Sequence, residues 1–230
     1  MISIIIPVYN QAEHLVNCLN AIKKQTYNNY EIIVVSDGST DNINEVMMKY
    51  KNIFGFRLNF LEQFNQGANA ARNHGAALAK GEYLIFCDAD IVMYPQMLEL
   101  TLGTLKINPQ AGFIYTSFLW GKKKFILWPF DAQKLKTMPY VNIASLIRRE
   151  YFPGFDETLK KFQDWDLWLT MTEQGHGGIW VNQILHEVRL GGNQTMSQWL
   201  PSFTYKLLPF LPAVKRYKIA KKIIFKKHNL

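Results

Sequence analysis

The chain has 230 residues, 48% of them apolar, which is enough to bury a core and excludes a disordered chain. Two cysteines, Cys18 and Cys87, both inside apolar runs, exclude a disulfide framework and read as buried thiols of a reducing compartment. The formal charge of +8 is unevenly placed: residues 188–230 hold nine Lys and Arg and no Asp or Glu, so a near-neutral body carries a basic tail. That distribution argues against a nucleic-acid binder and for a terminal segment that meets an anionic surface.

In chain order, Ile2–Pro7 is a β-branched apolar run ended by proline. Gln11–Lys24 places Leu15, Cys18, Leu19 and Ile22 at helical spacing. Glu31–Ser36 is a second such strand, stopped by Asp37-Gly38-Ser39, and Asp41–Tyr50 reads as a helix with Asp41 near its N-cap. Arg57–Glu62 alternates like a strand, and the alanine-rich Gly67–Lys80 reads as a helix. Tyr83–Cys87 is a third strongly apolar strand, and Pro95–Ile107 a helix with proline near its first turn. Continuous apolar strands alternating with helices predict an α/β chain built on a parallel sheet covered on both faces. After about residue 111 the pattern changes. Strand-like pieces at Gly112–Trp120, Lys124–Trp128 and Tyr140–Ile147 precede a helix at Asp164–Gln174, and further strands follow at Gly177–Val181 and Ile184–Leu190. The expected organisation is a first lobe over residues 1–115, a second lobe of the same domain over 116–199, and a basic tail over 200–230. Pro201, Pro209 and Pro212 break the start of that tail, and a helix can run from Pro212 to about Lys227. No basic-then-apolar leader is evident and no run of about 18 apolar residues occurs, so a cytoplasmic protein is expected, in solution or on a membrane face.

Ligands of doubly wound sheets sit beyond the carboxyl ends of the strands. Polar clusters fall there: Val8-Tyr9-Asn10, then Asp37–Asp41, then Asp88-Ala89-Asp90. Two close carboxylates repel, and a divalent cation shared with substrate phosphates relieves the repulsion; a turn acceptor and a helix cap would explain an isolated Asp-x-Asp equally well. Gly67 opens a helix and exposes backbone donors, and Arg72 lies in its first turns, an arrangement able to hold a phosphate or simply to be solvated.

Taken together, Ser-Ile-Ile-Ile-Pro-Val-Tyr-Asn, Glu-Ile-Ile-Val-Val-Ser-Asp-Gly-Ser-Thr-Asp, Asn-Gln-Gly-x-x-x-Ala-Arg-Asn-x-Gly and Tyr-Leu-Ile-Phe-Cys-Asp-Ala-Asp closely resemble the family 2 glycosyltransferases of GT-A fold, over roughly residues 1–195. The resemblance implies a Rossmann-like mixed sheet with helices on both faces and a nucleoside-diphosphate sugar donor, a UDP-sugar being favoured. It assigns Pro7, Tyr9 and Asn10 to the nucleobase region, Asp37 to the base edge, and Gly67 and Arg72 to base and diphosphate. Asp88 and Ala89 then meet the donor, and Asp90, with Asp88, a Mg2+ or Mn2+ ion. Gly154-Phe155-Asp156-Glu157 and Gln163-Asp164-Trp165-Asp166-Leu167-Trp168-Leu169 resemble the family's second-lobe segments and assign the general base of an inverting transfer to Asp164. Gln163 stands where the family has glutamate. Val188–Asn193 matches a Tyr-Arg-x-His-like segment: Arg189 fits a diphosphate contact, Gly191 replaces the metal-shell histidine, and His186 is close but offset. The expected acceptor is a saccharide or lipid-linked saccharide of cell-surface polysaccharide or glycolipid synthesis, with Trp120, Trp128, Trp165 and Trp168 free to stack on sugar rings or to pack.

The other readings are a haloacid-dehalogenase-like phosphatase using Asp88 and Asp90, and a degenerate, non-catalytic glycosyltransferase fold. In the tail, Val214, Tyr217, Ala220 and Ile224 fall on one helical face beside Lys215, Lys218, Lys222 and Lys226. This suits an anionic membrane surface at the inner face of the cell membrane, or a helix docked on the body with a solvated lysine face.

Overall fold

The computed structural model describes residues 1–191 and 210–230. In chain order the elements are β1 (Ile2–Val8), α1 (Ala12–Lys23), β2 (Tyr30–Asp37), α2 (Ile43–Phe54), β3 (Leu58–Gln63), α3 (Ala68–Leu78), β4 (Tyr83–Phe86), β5 (Ile91–Met93) and α4 (Met97–Ile107). There follow β6 (Phe113–Trp120), β7 (Lys123–Phe125), α5 (Ala132–Thr137), β8 (Leu146–Arg148), α6 (Gln163–Glu173), β9 (Gly178–Val188) and α7 (Pro212–Lys227). Among the described residues nine strands form one sheet in the order β3-β2-β1-β4-β8-β6-β9-β5, with β7 paired to β6. β3, β2, β1 and β4 run parallel, and β8 enters antiparallel between β4 and β6. The sheet is therefore mixed, and strands from both halves of the chain share it.

β1 and β2 are buried at every position, as strands covered on both faces must be. β1 runs through Pro7 instead of stopping there. The last bond from the β4 side is Cys87 N–H to the Ile5 carbonyl, so the missing N–H of Pro7 falls past the end of β4, where no partner strand needs it.

Other boundaries move for identifiable reasons. The strand expected over Tyr140–Ile147 shrinks to β8, because Asn142 folds the chain: its Oδ1 accepts the Ala144 N–H at 2.9 Å and its carbonyl accepts the Ser145 hydroxyl at 2.6 Å. The two strands expected at 177–181 and 184–190 are one strand, β9, whose pairing with β6 slips between Thr116 and Phe118. β5 and α5, too short for a periodic signal, were not expected. Asp41 does not cap α2: its carboxylate accepts the Ala12 N–H at 2.8 Å and so caps α1 from the neighbouring loop.

The C-terminal helix forms where expected, with Pro212 in its first turn and Lys226 and Lys227 in its last, where the helix dipole favours cations. The face expected to meet lipid is instead docked on the body. Val214 and Ile224 are fully buried, and Tyr217, Ala220 and Phe225 pack against the core. Each buried aliphatic side chain is worth about 1.5–3 kcal/mol. The stretch from Leu200 to Pro209, with its two helix-breaking prolines, lies outside the described residues, as do Gly192 and Asn193.

Candidate active site

The carboxyl ends of β1, β2 and β4 meet at one edge, and side chains of adjacent loops bind them to each other. Asn10, at φ 51°, donates its N–H to Ser39 Oγ at 3.1 Å and accepts the Thr40 N–H at 2.7 Å. Its side chain therefore ties the β1 loop to the β2 loop. Tyr9 is left 38% exposed beside this staple.

Asp37 is buried, and its carboxylate already accepts three donors. These are Gln63 Nε2 at 2.9 Å and Gln66 N–H at 2.8 Å on Oδ1, and Gly67 N–H at 2.8 Å on Oδ2. It closes the loop between β3 and α3 and retains an acceptor lone pair, since a carboxylate takes about four donors. Gly67, at φ 99°, needs the conformation that glycine alone enters freely. Its N–H, expected to face a phosphate, is committed to Asp37.

Arg72 is 5% exposed on α3. Its Nη2 donates to Asp88 Oδ1 at 2.7 Å and its Nη1 to Asn69 Oδ1 at 3.1 Å, and its guanidinium lies 5.3 Å from the Phe155 ring centroid. Nε is buried with no hydrogen-bond partner among the described residues. Asp88 follows β4 after Cys87 and is only partly covered. Asp90 sits two residues on, and burial together with the adjacent Asp88 charge pushes its carboxyl up to about 7. A carboxyl so destabilised when ionised is one that a cation would relieve. Two neighbouring carboxylates suit Mg2+ or Mn2+, which prefer few protein ligands. Among the described residues no cluster of three His, Cys, Asp or Glu side chains is arranged to hold a metal by itself.

Asp164 is the second residue of α6, and its Oδ1 accepts the Trp165 N–H at 2.9 Å. Burial raises its pKa above the ordinary carboxylate range. The Trp165 N–H and the Arg72 charge oppose that rise, and the Asp88 charge adds to it. Arg72 and Asp88 therefore lie within electrostatic reach of Asp164, which approaches them from α6. The sequence does not signal what fixes this approach. Asn73 Oδ1 accepts the Phe155 N–H at 2.8 Å, and its Nδ2 donates to the Phe155 carbonyl at 2.9 Å, pairing α3 with Gly154–Glu157. Asn69 Nδ2 adds a bond to the Asp156 carbonyl at 2.7 Å.

Arg189 reaches the site by its backbone only. Its N–H donates to the Asp90 carbonyl at 2.8 Å, whereas its guanidinium pairs with Glu187 at 3.0 Å. His186 is fully buried between Thr116 and Asn142, and burial pushes it down to about 3, so it is a neutral core residue. Trp165 and Trp168 are also core residues, fully buried with each indole N–H on a backbone carbonyl, and offer no sugar platform. Ala89 is buried and sets the turn between the two aspartates. A phosphatase nucleophile at Asp88 would need a free carboxylate on an early strand; here Arg72 holds it, and three strands precede β4.

Comparison with known proteins places the chain in a family and a fold. The family model described as "Glycosyl transferase family 2" matches residues 3–165. The glycosyltransferase GlyG of Streptococcus pneumoniae is 44% identical over 103 residues, 43% of this chain and 33% of that protein. An uncharacterized glycosyltransferase of Rickettsia conorii is 30% identical over 210 residues, 83% of this chain and 33% of that protein. The chain thus spans about a third of the length of these curated relatives. Among solved structures, S. aureus TarS 1-349 in complex with UDP-GlcNAc superposes with a TM-score of 0.74 at 18% identity, covering 99% of this chain and 71% of that one. The mannosyltransferase PcManGT from Pyrobaculum calidifontis, in complex with GDP-Man and Mn2+, superposes with a TM-score of 0.66 at 18% identity, covering 81% and 56%. A family match over more than half the chain, on a sheet of the same GT-A type, identifies it: the chain belongs to glycosyl transferase family 2.

Proposed function

We propose that the protein is an inverting, metal-dependent glycosyltransferase, moving a sugar from a nucleoside-diphosphate sugar to a hydroxyl of a saccharide or lipid-linked saccharide in cell-surface polysaccharide or glycolipid synthesis. The observation that carries this reading is that Asp164, on α6, lies within electrostatic reach of the Arg72–Asp88 pair at the end of β4. A UDP-sugar is the favoured donor, in keeping with the UDP-GlcNAc bound by the structural neighbour TarS.

In this reading Pro7, Tyr9 and Asn10 line the nucleobase. Asp37 offers its remaining lone pair to the base edge, and Gly67 shapes the loop beside it. Asp88 and Ala89 face the ribose, and the Arg72 guanidinium, beside Asp88, serves the diphosphate. Arg189 serves the diphosphate only after leaving Glu187. Asp90, with Asp88, would hold Mg2+ or Mn2+, which when bound neutralises charge gathering on the leaving diphosphate. Asp164 takes the proton from the acceptor hydroxyl as its oxygen bonds to the anomeric carbon. The bond from that carbon to the phosphate oxygen breaks, the electron pair leaves with the nucleoside diphosphate, and attack from the opposite face inverts the anomeric centre. Titration calorimetry with UDP, GDP and dTDP, with and without Mn2+, tests the donor site: metal-dependent binding of one is expected, and binding of none would reject it. Binding without sugar transfer or hydrolysis would point to a non-catalytic member.

The tail supports a peripheral attachment to an anionic membrane, on a face other than the one its periodicity suggests. Ile219 and Ile223, 59% and 48% exposed, form a narrow apolar stripe flanked by exposed Lys215, Arg216, Lys218, Lys222 and Lys226. Each basic residue near such a surface contributes about 1 kcal/mol. No helix among the described residues is long and apolar enough to cross a membrane. Co-sedimentation with phosphatidylserine-containing vesicles is expected to fall at least about tenfold for Ile219→Asp combined with Ile223→Asp. Equal sedimentation would remove the attachment.

A further inference from the structure

The docked face of α7 lies against α6, the helix that carries Asp164, and it does so at both ends of that helix. Phe162, the residue before α6, is buried at φ 62°, an uncommon conformation for a bulky side chain that the surroundings must hold. Its ring meets Trp165 edge-on at 5.4 Å and Tyr217 of α7 at 5.2 Å, and its carbonyl accepts the Asp166 N–H at 2.9 Å. Further along, Phe225 packs edge-on against Trp165 at 6.0 Å, and the Lys221 ammonium stands 5.8 Å from the same ring.

Polar contacts fix the register. Lys227 Nζ lies 2.7 Å from Asp156 and 2.9 Å from Asp166. His228, buried, places Nε2 2.9 Å from Asp166 Oδ1 and Nδ1 2.9 Å from Glu173 Oε1. A ring with one N–H donates to only one of these carboxylates, whereas the protonated ring donates to both. Asp156 is in turn held through its carbonyl by Asn69, the residue that also receives Arg72. A continuous chain of contacts therefore runs from Arg72 on the donor side, through Asn69, Asp156 and Lys227, to Asp166, two residues from Asp164.

We infer that α7 is a positioning element of the transfer reaction: Lys227 and His228 grip Asp166 and hold the first turn of α6 so that the Asp164 carboxylate stays aimed at the donor site. The inference rests on Asp164 being the base. Apolar burial supplies most of the docking energy, and the contacts on Asp166, a buried carboxylate met by buried His228 and by the more exposed Lys227, supply direction. A shift of about 1 Å at the reacting groups can lower a rate about a hundredfold.

The test uses the full chain carrying Lys227→Met, His228→Ala, or both, with Lys227→Arg as the conservative variant. Two readouts are paired: amide hydrogen exchange over residues 163–167, and nucleotide release from whichever of UDP-GlcNAc, UDP-glucose and GDP-mannose the wild type turns over fastest. Exchange at 163–167 is expected to quicken about tenfold or more while β1 and β4 amides hold their protection, which shows that the variants are folded. kcat should fall about tenfold to a hundredfold with donor KM within about threefold, and Lys227→Arg should retain most of the wild-type rate. Unchanged exchange over 163–167, or faster exchange with unchanged kcat, would overturn the inference. So would a loss of rate that tracks loss of protection in β1 and β4. A wild type that releases nucleotide from none of the donors would be a different failure, that of the transferase reading, and would leave α7 nothing to position.

Discussion

Asp164→Asn is expected to lower turnover by about 10²–10⁴-fold, the usual span for removing a general base, while donor affinity stays within about threefold of wild type. The variant is nearly isosteric, and Asn can still accept the Trp165 N–H that Asp164 accepts now, so the first turn of α6 keeps its geometry. Binding and chemistry therefore separate. The raised pKa of Asp164, caused first by burial, adds a signature in pH. Only the ionised carboxylate can take a proton, so the wild-type rate should fall on the acid side through a value above the ordinary carboxylate range. In Asp164→Asn that acid limb should vanish from the residual rate. Steady-state kinetics over pH, with donor binding measured separately by calorimetry, checks both points. A variant with near-wild-type kcat would remove Asp164 from the chemistry.

The part of the site that was legible in the sequence is the part built from strand ends. β1, β2 and β4 are continuous β-branched or aromatic runs, so their carboxyl ends, and with them Asn10, Asp37 and Asp88, could be placed from periodicity alone. Contacts made by side chains at long sequence separation were not legible. Asn69 and Asn73 look like polar residues on an alanine-rich helix, yet they pair with backbone 82 to 87 residues away and tie α3 to the loop before α6. Asp41 has the sequence position of a cap for its own helix but caps another, because the β1 and β2 loops lie side by side at one sheet edge. The tail shows the same limit. The heptad-like spacing of Val214, Tyr217 and Ile224 reports that one face is buried, and periodicity carries no information on whether lipid or protein buries it. Only the packing on α6 distinguishes the two.

Asp90→Asn should stabilise the metal-free protein and abolish metal-dependent activity, opposite effects from one side chain. Asp90 has a folded-state pKa of about 7 against an unfolded value near 3.8, so its proton is held more tightly in the fold than in the unfolded chain. The stability this group contributes is complete below about pH 4 and is lost as pH rises through 7. At pH 8 the fold carries an ionised carboxylate that burial and Asp88 both disfavour. The full shift corresponds to about 4 kcal/mol, and solvent screening at a partly exposed position reduces the expected effect to about 2 kcal/mol. Asparagine removes the charge, and the metal-free melting temperature at pH 8 should rise by about 4–8 °C for a chain of this size. At pH 4 the two proteins should melt together, since the wild-type carboxyl is then neutral. Millimolar Mn2+ with UDP should stabilise the wild type through binding to the folded state and leave Asp90→Asn nearly unmoved. Scanning calorimetry in the presence of a chelator, then of Mn2+ and UDP, at both pH values distinguishes the cases. A variant that melts below wild type at pH 8 without metal would mean that Asp90 is held by protein partners and is not waiting for a cation.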